Sequence, residues 1–215
     1  WSLRAPTELA LVGGQWTLGQ ACMEGPEGTL CAQASAADGA QHAELELARM
    51  PLSTFSPLLS AGQPVPWTLS GEVSARAQLD RAADGTLQVD ARVQLPEGSI
   101  ALALGEQPQD ARELLQWREL QVQVQVRGDA LQASAEGTLE QSGRLALQLQ
   151  GGVPGQPQAA LSGQLQLQLP DLRVLELLTP HVADPAGRLD ADLRLGGSWD
   201  DPRLDGRVEV TELAG

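Results

Sequence analysis

The chain contains no lysine, no asparagine and no tyrosine, and it holds a single isoleucine (Ile100) and a single phenylalanine (Phe55). The missing and scarce residues are those with AT-rich codons. Their absence reads as the mark of a GC-rich genome and carries no function by itself. Basic residues number 14 against 28 acidic ones, for a formal net charge of −14. That balance argues against nucleic acid as a partner, because phosphate binding needs clustered Lys and Arg to displace counterions. Long apolar runs are also missing. Charge is absent from Met50 to Gly71 and from Leu145 to Pro170, but the first stretch carries four prolines and the second places Gln at alternate positions near both ends. Neither can span a bilayer. The chain opens on Trp1 without an initiator Met and closes at Gly215 just after a strand-like run, so it reads as a soluble piece of a longer protein.

Catalytic and metal chemistry is equally scarce. No Gly-rich phosphate loop and no G-x-S-x-G elbow occurs, and nothing in the sequence marks a cofactor. His42 and His181 stand apart from each other and from both cysteines, so a thiolate–imidazole metal centre is not expected. The acidic cluster Asp190, Asp192, Asp200, Asp201 and Asp205 lacks calcium-loop spacing; it reads as outward strand positions and turn chemistry. His181, between Pro180 and Val182, reads as a helix-exit residue. The expectation is a protein that is not an enzyme.

What the chain does have is alternation. Leu120, Val122, Val124 and Val126 alternate with Gln121, Gln123 and Gln125, and Leu165, Leu167 and Leu169 alternate with Gln164, Gln166 and Gln168. The pattern recurs over 87–95, 145–149 and 189–195. Strand side chains alternate between faces, so each run has one apolar and one polar face, as in half-buried antiparallel strands. Turn signals at Asp84-Gly85, Glu97-Gly98, Gly128-Asp129, Ser142-Gly143 and Asp201-Pro202 space about a dozen strands into a meander. Three segments depart from the pattern and read as short helices: Leu52 to Ser60, Asp110 to Gln116 and Asp171 to Thr179.

An internal repeat covers approximately 45–79 and 165–195. Met50-Pro51 with Phe55, Leu58 and Leu59 aligns with Leu169-Pro170 and Val174, Leu177 and Leu178 at an offset of 119, and Gly71 aligns with Gly187 at an offset of 116. The whole of 1–215 therefore reads as one continuous β-repeat domain without an internal boundary. Cys22 and Cys31 flank a Gly-Pro-Glu-Gly turn, where they can face each other across a hairpin at disulfide distance. The alternative is a pair of small apolar residues.

A sheet with one apolar face must cover it. The choices are a closed sandwich, with sheets meeting at about 10 Å, or a curled sheet whose apolar face lines an open groove. The sparse aliphatic lining tilts toward the groove and suits acyl chains.

The stretch from Leu169-Pro-Asp-Leu172 through Gly187-Arg-Leu189-Asp-Ala-Asp-Leu193-Arg-Leu195-Gly-Gly-Ser198 to Pro202-Arg-Leu204-Asp-Gly206-Arg-Val208 resembles the repeat of the TamB family, which is related to the AsmA-like and bridge-like lipid transfer proteins. Leu95-Pro96-Glu-Gly98-Ser-Ile100 is similar to another recurring piece of that family, and the hairpin with Cys22 and Cys31 to a cysteine-bearing hairpin in some members. The first repeat lacks the Gly-Gly-Ser element after Leu79. The resemblance implies an all-β fold: a long, curled, antiparallel sheet forming a U-shaped trough with an apolar interior, plus two or three short helices. It implies a periplasmic protein, anchored in the bacterial inner membrane, that moves phospholipid between the two membranes and supports outer-membrane protein assembly. Its partners would be phospholipid acyl chains and a TamA-like outer-membrane barrel met through regions outside this chain. On that reading the groove is lined by Leu87, Val89, Val93, Leu102, Val122, Val124, Val126, Leu145, Leu147, Leu149, Leu165, Leu167, Leu189, Leu193 and Val208. The rival reading is a scaffold whose exposed sheet edge captures strands of outer-membrane proteins.

Overall fold

A computed structural model describes residues 1–56, 67–103, 111–155, 158–172 and 186–214. Its strands are β1 (Ser2–Leu3), β2 (Leu9–Val12), β3 (Gln15–Gly25), β4 (Gly28–Ala37), β5 (Ala40–Pro51), β6 (Trp67–Arg81), β7 (Leu87–Ala103), β8 (Ala111–Arg127), β9 (Ala130–Leu139), β10 (Gly143–Gly152), β11 (Leu161–Leu169), β12 (Ala186–Gly197) and β13 (Pro202–Ala214). All pair antiparallel in one 13-stranded sheet, each strand from β3 to β13 beside its neighbour in sequence. β1 and β2 both pair with β3 at one end, and β13 pairs with β12 alone at the other. The sheet is not closed into a barrel. The described strands all belong to this one sheet, and the meander expected from the alternating runs is what forms.

Bulges shape the sheet. Ladder register shifts between Leu47 and Met50 in β5, between Gly71 and Ser74 in β6, and between Arg118 and Gln121 in β8. Arg49 and Glu119, inside two of these irregularities, have φ of 50° and 55°. Bulges bend and twist the strand that carries them. Here they fall on one long border of the strip, beyond which β6, β7 and β8 run on. The main core sits on that border: Met50, Val73, Trp117, Leu139 and Leu169 come from five strands, joined by Leu52 and flanked by Phe55 of a 3-10 turn over Leu52–Phe55. The Ser56 hydroxyl accepts the Leu69 N–H at 3.1 Å and ties that turn to β6.

Three local expectations need correction. Asp110 to Gln116 reads as a helix from its Ala, Arg, Glu, Leu and Gln content, yet 111–116 is the start of β8, with Leu115 opposite Ile100 and Arg112 opposite Leu102. Helix propensity is a preference of tenths of a kcal/mol per residue, which ladder pairing and burial of Leu114 override. Glu97-Gly98 is no turn: it lies inside β7, where Gly98 faces both Gly71 and Trp117. The first expected helix is only the 3-10 turn Leu52–Phe55, its remainder over 57–60 lying outside the described residues, as do 173–179 of the third and His181. One further 3-10 turn, Glu140–Ser142, joins β9 to β10.

Gly71 and Gly187, aligned at an offset of 116, can be compared directly. Gly71 and Gly187 have φ of 107° and 141°, each beside a register irregularity. A Cβ at Gly71 would sit 2.8 Å from Gly98 Cα, and one at Gly187 would sit 2.9 Å from the Thr211 carbonyl oxygen. Only glycine takes up that backbone without strain.

Candidate functional site

Cross-strand partners share a face, so the register shows which side chains stand together. One lane runs Leu30, Leu47, Ala75, Val93, Val122, Ala135, Leu147, Leu165 and Leu193 across nine strands, β4 to β12. A second lane beside it passes through Leu45, Ala77, Ala91, Val124, Ala133 and Leu149. Every nominated lining position lies on this same face. Leu87 precedes Val89 by two residues, and Val89 pairs with Val126; Leu145 pairs with Leu167, Leu169 with Leu189, and Ala191 with Val208. Leu102 reaches the face by a different path. It follows Gly98 and Ile100 beyond the register shift between Gly71 and Ser74, on the side occupied by Trp117, and is buried there. The sequence reading missed Leu18, Leu30, Leu45, Leu47 and Leu79, although Leu45-Glu-Leu47 and Ala75-Arg-Ala77-Gln-Leu79 carry the same alternation.

The face is exposed in part: Leu45 keeps 45% of its surface exposed and Val208 52%, whereas Leu102, Val126, Leu131, Leu161 and Leu169 on the same face are buried. The small side chains Ala75, Ala77, Ala91, Ala133 and Ala135 lower the middle of the lanes between flanking Leu and Val, which leaves room for a flexible apolar chain rather than a fixed ring system.

The opposite face is polar and internally paired. Arg127 holds Asp90 through both carboxylate oxygens at 2.8 and 2.9 Å, and Arg76 meets Glu46 at 3.0 Å. A concavity of about 430 Å³ lies on this face among Glu46, Arg76, Gln78, Asp90, Arg92 and Gln125. Leu47, Ala75, Ala91 and Val124 also contribute to its lining, so its walls are mixed in character. The acidic cluster disperses. Asp190 and Asp192 lie opposite Glu209 and Arg207, Asp205 lies opposite Arg194, and Asp201 pairs with Arg203 across the turn at 2.9 Å. Among the described residues no three His, Cys, Asp or Glu side chains converge as a metal site.

Cys22 and Cys31 are direct cross-strand partners bonded as a disulfide, with Cα atoms 4.0 Å apart. Cys31 is also opposite Glu46, which puts the disulfide on the polar face. Replacing both cysteines with serine is expected to lower unfolding free energy by about 2–3 kcal/mol, the loop-closure term for so short a ring, while leaving the apolar lanes intact. Denaturant titration under oxidising conditions checks this, and equal midpoints for the two proteins would overturn it.

His42 stands on the polar face between two carboxylates, its Nδ1 2.6 Å from Asp80 and its Nε2 3.3 Å from Glu44. The Asp80 hydrogen bond raises the imidazole above its usual 6.5, and the same contact lowers Asp80 below 3.8. The His42 contribution is complete below pH 6.5 and fades as pH climbs through the raised value. That of Asp80 is complete above pH 3.8 and fades as pH falls through the depressed value. The pair therefore supports the fold most between those limits. Both side chains are a third or more exposed, so the effect is small. The unfolding temperature should sit slightly higher at pH 5.5 than at pH 8, and His42→Gln should remove that difference.

Comparison with known proteins comes down to one match. No curated protein and no solved structure matches the chain. The family described as "TamB, N-terminal domain" matches residues 1–210, which spans all thirteen strands but the end of the last. The chain belongs to the TamB family, and the matched region is its N-terminal domain.

Proposed function

We propose that the apolar face shields the acyl chains of phospholipids as they pass between the inner and outer membranes, in support of outer-membrane protein assembly. The observation that carries this reading is the continuity of the lanes. Apolar side chains succeed one another from strand to strand with no charged residue between Leu30 and Leu193 in the first lane. Strands lie about 4.8 Å apart, so the first lane from β4 to β12 gives a path of roughly 40 Å. Head groups would remain in water while acyl chains follow the lanes. Membership of the TamB family supports a periplasmic location and a TamA-like outer-membrane barrel as the partner of the whole protein.

Site-specific photo-crosslinking tests the path. A benzophenone amino acid at Leu147 should capture phospholipid from membranes in the expressing cell, while the same group at the outward Gln148 should not. Equal labelling at both sites, or none at either, would overturn the proposal.

A further inference from the structure

We propose that the polar face carries an oxyanion site, centred on Arg92, that takes a phosphate ester of a small polyol such as glycerol phosphate. The site lies on the opposite side of the sheet from the apolar lanes and stands independently of the lipid-path reading.

Register builds it. Pairing of β5, β6, β7 and β8 sets Glu46, Arg76, Arg92 and Gln123 in one row across four strands. Arg76 and Arg92 are therefore direct cross-strand partners, a position in which like charges repel. The acidic pair Asp190 and Glu209 is relieved by Arg207, which bonds Glu209. In the arginine pair the relief is one-sided. Glu46 meets Arg76 at 3.0 Å, but no carboxylate among the described residues pairs with Arg92.

The concavity of about 430 Å³ described above surrounds this row. Its two carboxylates are already engaged, Glu46 by Arg76 and Asp90 by two hydrogen bonds from Arg127. Its donors are not. Gln123 stands opposite Arg92, Gln94 lies two residues along β7 and Gln125 two residues along β8. Among the described residues none of these three amides has a side-chain partner. One guanidinium and three amides thus line the same hollow with their N–H groups unengaged.

The donors set the ligand. A guanidinium offers five N–H groups and no acceptor, and each amide adds two more N–H groups. What fits is negative and rich in acceptors. A planar carboxylate satisfies one guanidinium fork, whereas a tetrahedral phosphate has oxygens enough to bridge Arg76 and Arg92 and still accept from Gln123. Amides both donate and accept, which suits hydroxyl groups on the body that carries the phosphate. Volume agrees, since about 430 Å³ falls in the roughly 300–1,000 Å³ range of small-molecule sites and exceeds what bare phosphate fills. The net charge of −14 repels anions at a distance, so capture rests on these local donors.

Titration calorimetry of the full chain with glycerol phosphate tests the site. Binding should saturate, and Arg92→Gln should weaken it at least tenfold. The unfolding midpoint of that variant should not fall, because the substitution removes a like-charge contact. Gln123→Ala should weaken binding by a smaller factor, and Arg144→Gln, on β10 of the same face, should bind as the native chain does. Vesicles of phosphatidylglycerol present the same chemical group on a membrane. Capture of the vesicles without binding of the free ester, lost in Arg92→Gln, keeps the site and assigns it to a lipid head group. Equal affinity for inorganic phosphate overturns the polyol ester. No binding of either ester or vesicle, or equal binding by the native chain and Arg92→Gln, overturns the site and leaves the lipid path untouched.

Discussion

Arginine at Val124, Leu147 or Leu167 is expected to leave the protein folded and to abolish acyl-chain binding. The three positions sit mid-strand on the apolar face, and each is half-buried. In a closed core, an unpaired guanidinium would cost several kcal/mol, comparable with the whole stability of a domain. On an uncovered face the side chain lays its methylene stem along the surface and lifts its charge into water, so about 1–2 kcal/mol of stability is lost. An acyl chain in the lane cannot make that escape. It meets a charge in its path, and lipid binding should fall at least tenfold. Gln123→Glu, Gln148→Glu and Gln166→Glu, one residue away on the polar face, should change neither property. Lipid binding by fluorescence and stability by denaturant titration, measured on the same six variants, decide the matter. Variants that fail to fold would mean that the face is packed against something in solution. Folded variants with normal lipid binding would remove the face as the lipid path.

Trp117→Ala is expected to be the most damaging truncation, with a loss of about 3–5 kcal/mol. The indole is 5% exposed and joins Met50, Val73, Leu139 and Leu169 in a buried cluster. It lies over Gly98, where a Cβ would stand 2.9 Å from the ring's Cε2 and 2.5 Å from the Ser70 carbonyl oxygen. Gly98→Val should therefore be as harmful as loss of the ring, because neither backbone nor indole has room to yield. Leu147→Ala, on the lanes, should cost much less than Trp117→Ala. That contrast is the checkable content: similar losses at both positions in urea unfolding would show that the core extends over the whole face.

The alternating runs were sufficient to determine the antiparallel meander and the identity of the two faces. Strand side chains have a period of two, so Leu165-Gln-Leu167-Gln-Leu169 can satisfy its own pattern in only one way. The cysteine spacing around a tight turn likewise made a cross-strand disulfide possible before any coordinates. The sequence also carried its own family, through the repeat ending in Gly-Gly-Ser198 and Pro202. Local pattern failed where two strands had to agree. Ala111 to Gln116 has the composition of a helix, and only pairing with β7 makes it a strand. Glu97-Gly98 has the composition of a turn, and only the approach of Trp117 shows why a glycine is needed mid-strand. Whether the apolar face closes into a sandwich or stays open was also beyond the sequence, because both arrangements bury the same alternate residues. The tertiary structure supplied what the pattern could not: the described strands form one sheet that is not closed into a barrel, and bulges gather the core along one border. Alternation is a property of one strand, whereas openness depends on what lies about 10 Å away across the face, and no residue in a strand records that.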